Sequence, residues 1–244
     1  MKLDALTRRA ALAASLLSLG PPLLPALAFD NRLPPTELEL KYKTPRTPGP
    51  QPTDLGPRDG NALKACIDGK PHCFSSSPET FEDNDLFNAD YGTTEGWLVE
   101  PFRYDKPLAE AVADIKAAIE AYPPGQRGID GGGFKLVAAR PIDADGYYMY
   151  VQFESGRKGY IDDFEVALGN GVANVRTSSR VGYLDLGVNA KRYAWFADRL
   201  GKQQGWKTKK LTSKGHEEYF SLNQLTDAVL ASGESVVKTE KVKL

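Results

Sequence analysis

The sequence is poor in the residues that build metal centres and thiol-dependent active sites. It contains two cysteines and two histidines in 244 residues. Six residues separate Cys66 from Cys73, which is not a CxxC spacing, and no second pair of ligands accompanies them. His72 adjoins Cys73, but the other histidine, His216, is far along the chain and completes no nucleophile arrangement. We therefore predict no metal and no cofactor.

An excess of charge of one sign and long apolar runs are also missing. The 31 lysines and arginines nearly balance the 32 aspartates and glutamates, whereas a nucleic-acid-binding domain normally carries a basic excess. No internal run approaches the roughly 20 apolar residues of a membrane-spanning helix. We expect no nucleic-acid partner and no transmembrane segment in the mature chain. The sequence also lacks a nucleophile elbow, an HExxH motif and a dinucleotide-binding glycine motif. These absences favour a protein that is not an enzyme.

Residues 1–28 have the features of a removable export signal. A positive start ends in Arg8 and Arg9, an apolar run covers residues 10–19, and Ala-Leu-Ala at 26–28 gives a small-x-small cleavage pattern. The apolar run is too short to span a bilayer, so we predict removal of the segment rather than anchoring. Paired arginines before such a run resemble a twin-arginine signal, which serves bacterial export and import into the thylakoid lumen.

The predicted signal indicates the compartment and the state of the thiols. The Ala-rich run and the extended segment after it are typical of a plant or algal protein of the chloroplast thylakoid lumen. No Ser-rich plastid transit peptide precedes the signal, so a bacterial periplasm is the alternative. In an exported protein we expect Cys66 and Cys73 to form one structural disulfide. A loop of this length contributes about 2–3 kcal/mol at most.

Composition divides the chain into four parts. They are the cleavable signal at 1–28, a Pro-rich extended arm at 29–60, an α+β domain at 61–206 and a C-terminal extension at 207–244. The arm has almost no apolar periodicity, and its prolines favour an extended, polyproline-like backbone. One interpretation is a disordered tail, and the other is an arm that lies across a partner and orders on binding.

The domain has the pattern of a two-layer α+β fold. Apolar residues at spacings of four, three, four and three predict a helix over 105–122, and a second helix is predicted over about 187–202. Alternating residues predict four strands between them, at 134–140, 147–155, 159–168 and 172–183. Short glycine-containing loops make these strands an antiparallel meander. We predict an antiparallel sheet of about four strands with two helices packed on one face.

One group of polar residues is distinctive. In the predicted sheet Asp163, Glu165, Arg176 and Arg180 share one face. Asp185, Asn189 and Arg192 lie where the last strand meets the second helix. One interpretation is a network of cross-strand ion pairs with a helix cap. The other is an anion or partner site, because two arginines one strand step apart bind a carboxylate or phosphate, although the nearby carboxylates would neutralise it. No catalytic residue is assigned. The candidate site comprises Asp163, Glu165, Arg176, Arg180, Asp185, Asn189 and Arg192.

Three motifs carry a resemblance to a known family. They are CIDGKPHCFSSSP from Cys66, GYIDDFEV from Gly159 and SSRVGYLDLGVNAKR from Ser178. Together they spread over roughly residues 63–200, and in this order they resemble the family catalogued as domain of unknown function 1499, in its thylakoid-lumen type. The resemblance implies a domain identity without an established biochemical activity.

Three functions are compatible with these features. We expect a soluble lumenal, non-enzymatic binding, assembly or auxiliary factor whose partner is a photosynthetic complex of the thylakoid membrane. The alternative is a carrier of a small ligand or lipid, held in an apolar cradle between the sheet and the first helix. An enzyme is the third hypothesis, and it needs a cleft in which Asp163, Arg180 or His72 converge.

Overall fold

The computed structural model describes residues 29–41, 45–66, 70–78 and 95–232. The predicted export signal lies outside these residues, as does most of the acidic stretch that precedes Trp97. Within the described ranges, no helix combines the length and the apolar character that crossing a membrane requires.

One antiparallel sheet forms the centre of the molecule. Its strands are β1 (Cys73–Ser75), β2 (Phe102–Tyr104), β3 (Gly133–Pro141), β4 (Gly146–Glu154), β5 (Ile161–Gly169), β6 (Val172–Ser179) and β7 (Trp206–Lys207). They lie in the order β3-β4-β5-β6-β2-β7, and β1 pairs with β6. The four long strands β3 to β6 are the predicted meander, which confirms the antiparallel α+β class.

The predicted strand number of about four is wrong, because the described residues alone contribute seven strands to the sheet. The three additional strands extend the sheet beyond β6. Phe74 of β1 pairs with Thr177, near one end of β6, and Phe102 of β2 pairs with Ala173, near the other end. β7 then adds to β2. Strands of two or three residues contain too few positions for an alternation to be visible in the sequence.

Two long helices, α2 (Leu108–Glu120) and α3 (Val188–Gly201), cover one face of the sheet, which we call the inner face. The shorter helices in the described residues are α1 (Glu37–Lys41), α4 (Glu217–Leu222) and α5 (Asp227–Ser232). α2 and α3 are the two predicted helices. α2 begins at Leu108 rather than at 105, because Pro107 precedes it with a ψ of 142°, outside the helical region.

Aromatic and aliphatic side chains fill the inner face. Phe164 of β5 and Phe196 of α3 stack with their ring centroids 4.5 Å apart, and Tyr122 stacks on Phe196 at 5.6 Å. Such pairs add about 0.5–1.5 kcal/mol to the burial of their surfaces. Ile115 and Ile119 of α2 are also buried in this core. The ligand cradle expected between the sheet and the first helix is therefore filled by side chains.

The Pro-rich arm covers the opposite face of the sheet, which we call the outer face. Leu55 of the arm packs against an apolar cluster of Leu63, Tyr148, Tyr150 and Ala167, which is separate from the main core. At the other end of the arm, Arg46 Nε and Nη2 donate to the carboxylate of Glu154 in β4, at 3.0 and 2.7 Å. The described part of the arm therefore lies on its own domain.

A disulfide and two short helices complete the domain. Cys66 and Cys73 form the predicted disulfide, with their Cα atoms 5.8 Å apart, and it joins the end of the arm to β1. Tyr219 of α4 packs against Phe74 of β1, with their ring centroids 4.4 Å apart. α4 and α5 thereby belong to the main core.

Candidate functional site

On the outer face, four of the predicted site residues form two ion pairs. Arg180 binds Asp163 through two parallel hydrogen bonds, Nε to Oδ2 at 2.8 Å and Nη2 to Oδ1 at 2.7 Å. Arg176 Nη1 lies 3.4 Å from Glu165 Oε2. The four side chains are at most 8% exposed. The predicted juxtaposition follows from the register of β5 and β6, in which Glu165 faces Arg176 directly.

Two tyrosines of β4 extend this network. Tyr148 donates its hydroxyl to Glu165 Oε1 at 2.7 Å, and Tyr150 donates to Asp163 Oδ1 at 2.5 Å. The arm adds the backbone N–H of Gly56, which donates to Glu165 Oε1 at 2.8 Å. Burial raises the pKa of Glu165, and the nearby arginine opposes this shift. The outer-face arginines are thus engaged by carboxylates of their own sheet beneath the arm, an arrangement that ties β4, β5 and β6 together.

On the inner face, Arg192 of α3 is completely buried. Each of its five N–H donors has an acceptor. Nε and Nη2 donate to Asp130 at 3.1 and 2.6 Å, and Nη2 also donates to Asp162 at 2.9 Å. Nη1 donates to Thr177 Oγ1 at 3.1 Å and to Asn189 Oδ1 at 2.8 Å. Burial lowers the pKa of Arg192, but Asp130 and Asp162 raise it to well above the ordinary value.

Asp185 holds the loop between β6 and α3. Its Oδ2 accepts the backbone N–H of Asn189 at 2.9 Å and the Asn189 side-chain amide at 2.8 Å. Tyr219 of α4 donates its hydroxyl to Asp185 at 2.8 Å. Asn223 Oδ1 accepts the backbone N–H of Asp185 at 3.2 Å. Asp185 therefore satisfies the free N–H groups at the start of α3, as expected of a cap.

The structure separates the predicted site into two groups and adds members that sequence reasoning missed. Asp163, Glu165, Arg176 and Arg180 lie on the outer face, whereas Asp185, Asn189 and Arg192 lie on the inner side. The missed members are Asp130, Tyr219 and Asn223. Asp130 is 62 positions from its arginine, and no local pattern connects them. Tyr219 and Asn223 are four positions apart, a spacing that puts both on one side of a helix.

A cavity of about 810 Å³ opens beside the inner group. We call it the end cavity. Four segments meet around it: the arm with α1, the loop between α2 and β3, the β4–β5 hairpin, and residues 180–187 between β6 and α3. Its polar inner end contains Asp130, Asp162, Ser179 and Asp185. Its apolar walls include Leu33, Ile129, Tyr160, Val181, Leu184 and Leu186.

Residues 180–187, which we call the rim loop, present apolar side chains at the mouth of this cavity. Tyr183, Leu184 and Leu186 all belong to the exposed large hydrophobic residues. Leu186 is 51% exposed and has a φ of 55°, in the left-handed region that a leucine rarely adopts. Asn223 holds it there by accepting its backbone N–H at 2.8 Å. Backbone strain of this kind is concentrated at binding and switching sites.

The residues that an enzyme would have required here lie elsewhere. Asp163 and Arg180 pair on the outer face, and His72 is buried next to β1. None of the three lines the end cavity. Among the described residues, no group of three His, Cys, Asp or Glu side chains is placed to hold a metal ion.

Comparison with known proteins identifies the family. The model of the family described as protein of unknown function (DUF1499) matches residues 62–200, which is more than half of the chain. The match begins near the end of the arm and ends in α3, so it contains the long strands and Arg192. No curated protein and no solved structure matches the chain. The family that the three sequence motifs indicated is thereby confirmed, whereas its thylakoid-lumen type stays a prediction, and the chain belongs to the DUF1499 family of proteins of unknown function.

Proposed function

We propose that this chain is a non-enzymatic binding protein that takes up a small apolar ligand in the end cavity. The observation that carries this proposal is a space of about 810 Å³ with largely apolar walls and a few polar groups at its inner end, while further charged side chains such as Glu39 and Lys158 lie elsewhere along the lining. Binding sites for small molecules have this composition and enclose about 300–1,000 Å³. The proposal takes up the carrier function, which was the alternative hypothesis from the sequence, and moves its site from the sheet–helix interface to the end of the sheet.

Two of the carboxylates at the inner end, those of Asp130 and Asp185, support binding rather than catalysis. Asp130 accepts two hydrogen bonds from Arg192. Asp185 accepts hydrogen bonds from Asn189 and Tyr219. Their oxygens are therefore committed to holding the fold. A general acid or base needs a proton-exchanging atom that is free to meet the substrate.

A neutral dye tests the proposal. Nile red fluoresces in apolar surroundings, and we expect it to bind the protein with one saturable site. Gly131 lines the cavity, and a Cβ added there would meet Gly156 Cα at an ordinary 3.7 Å. Gly131→Leu should therefore fold and fill part of the cavity, which should weaken dye binding at least tenfold.

Gly96→Leu is the matched control. A Cβ at Gly96 would have nothing within 4 Å, and this glycine is not part of the cavity wall. The control should bind the dye as the unmodified protein does. Equal binding by the Gly131 and Gly96 variants, or no saturable binding by the unmodified protein, would refute the proposed site.

A second candidate function is an auxiliary or assembly role with a photosynthetic membrane complex in the chloroplast thylakoid lumen, or with a membrane complex facing a bacterial periplasm. The exposed Tyr183, Leu184 and Leu186 of the rim loop favour it, since adjoining apolar side chains on a surface are typical of contact sites. Size-exclusion of solubilised native membranes, probed with an antibody to this protein, is the test. Migration with a large complex supports this role, and migration as a free monomer argues against it.

A further inference from the structure

Negative charge exceeds positive charge at the inner end of the end cavity. Asp130, Asp162 and Asp185 all line it, and one guanidinium, that of Arg192, is bonded to the first two. Asp185 accepts hydrogen bonds from neutral partners, namely backbone N–H groups, a side-chain amide and the Tyr219 hydroxyl. Lys191 of α3 is a second cation, and its charge is stabilised by Asp185, so three carboxylates face two cations here. Buried charge without an opposite charge is costly. The inner end is thus a place where an added positive charge is stabilised.

Asp162 has one carboxylate oxygen that the inner network does not use. Its side chain is 10% exposed and lines the cavity. Oδ2 accepts from Arg192 at 2.9 Å, whereas Oδ1 accepts no hydrogen bond from any residue that the structure describes. Ser179 is the cross-strand neighbour of Asp162 and lines the same wall. Its Oγ accepts from Asn189 Nδ2 at 3.1 Å, and its hydroxyl hydrogen has no acceptor in the described ranges.

Resting on the proposed function, we infer that the end cavity binds an apolar molecule that carries a primary amine. Its ammonium group would donate to Asp162 Oδ1 and to Ser179 Oγ, and its apolar part would lie against Leu184, Leu186 and Ile129. An ammonium has three donors and no acceptor, which fits this pair of oxygens and supplies the missing charge.

Other head groups fit the same position less well. A carboxylate would add a negative charge beside three others, and like charges disfavour each other strongly where water is excluded. An alcohol can donate one hydrogen bond to Asp162, but it leaves the charge uncompensated. The basic side chains of this region, Arg157 and Lys158, are on the β4–β5 hairpin and also line the cavity. A ligand that bound through a carboxylate would have to place it there, with its apolar end against Asp162.

Three probes of equal chain length distinguish these head groups. Octylamine, 1-octanol and octanoate would each be titrated at neutral pH against the protein loaded with Nile red. We expect octylamine, as its ammonium, to displace the dye at a concentration at least tenfold lower than either of the others. Equal displacement by the three probes, or strongest displacement by octanoate, would overturn the inference.

Two adjacent aspartates of β5 provide a matched pair of variants. Asp162→Asn removes the charge at the cavity and retains an oxygen for Arg192, and it should abolish the preference for octylamine. Asp163→Asn removes an equally buried, arginine-bound carboxylate on the outer face, and it should keep the preference. If Asp162→Asn does not fold, Ser179→Ala serves instead and should weaken octylamine binding several-fold without changing octanol binding. A preference that persists in these cavity variants would contradict the assignment.

The two proposals fail in different ways. Without saturable dye binding by the unmodified protein, both the proposed function and the amine inference fall. With dye binding that Gly131→Leu weakens but no preference among the three head groups, the binding function stands and the amine inference is refuted.

Discussion

Replacing Arg192 by methionine should destabilise the fold strongly. The guanidinium is completely buried and makes five hydrogen bonds, so its loss leaves Asp130 and Asp162 buried without their counter-ion. Removing one partner of a buried ion pair costs about 3–5 kcal/mol. Methionine retains an unbranched side chain against Phe153, whose ring centroid is 4.6 Å from the guanidinium carbon, so lost packing adds little. The expected loss is a large part of the about 5–15 kcal/mol that stabilises an ordinary domain.

Urea unfolding followed by tryptophan fluorescence measures this loss, and its pH dependence identifies the cause. Burial raises the folded-state pKa of Asp130 and Arg192 opposes this shift, so without Arg192 the pKa of Asp130 should rise further above its unfolded-state value. A carboxyl with a raised folded-state pKa favours folding below the unfolded-state pKa, and this contribution is lost as the pH rises through the folded-state pKa. The difference in the free energy of unfolding between Arg192→Met and the unmodified protein should therefore become smaller as the pH is lowered.

Arg199→Met is the control for this experiment. Arg199 lies on the same helix and is exposed, so its replacement should change the free energy of unfolding by no more than about 0.5 kcal/mol. A loss below about 1 kcal/mol for Arg192→Met, or a loss that does not change with pH, would refute the electrostatic account of the inner network.

Three further predictions concern the outer face and the disulfide. Arg180→Ala should lower the free energy of unfolding in urea by about 2–4 kcal/mol, because its carboxylate partner stays buried; an effect below about 1 kcal/mol would mean that the ion pair does not hold this face. Replacing Cys66 and Cys73 by serine should cost about 2–3 kcal/mol and remove the effect of a reductant on thermal unfolding, whereas an unchanged response to the reductant would contradict it. Burial and a hydrogen bond to a carboxylate raise the pKa of Tyr150 to about 12 from 10.0. The difference in tyrosinate absorbance between the unmodified protein and Tyr150→Phe should therefore titrate near pH 12. The stability that Tyr150 supplies should be complete below pH 10 and disappear up to about pH 12, and a midpoint near 10 would show the hydroxyl to be solvated.

The long elements of this fold could be predicted from the sequence because each carries its own periodicity. In α2, the apolar positions between Leu108 and Ile119 recur at spacings of four, three and four. In β4, Tyr147, Met149 and Val151 alternate with polar or aromatic neighbours, and the structure places these three towards the helices. Such periods are local, so they need no knowledge of the partner surface.

The cover of the outer face could not be predicted in this way. The arm has extended backbone without a repeating apolar pattern. It is held by single contacts, such as the hydrogen bond from Gly56 N–H to Glu165 and the packing of Leu55 against the cluster that contains Tyr148. Each contact joins positions that are far apart in sequence. Tyr148 is an aromatic residue on the side of β4 that faces away from the helices. Such a residue was the available indication in the sequence that the outer face is covered as well.

The two adjacent aspartates of β5 show how much of the candidate site the sequence contained. Successive strand residues point to opposite faces, so Asp162 and Asp163 cannot belong to the same site. Asp163 falls on the outer face with Arg180, as the alternation predicts. Asp162 interrupts the apolar side of β5, where a carboxylate is tolerated only beside a partner. The sequence shows this interruption, but only the fold shows that the partner of Asp162 is Arg192 and that Asp162 borders a cavity.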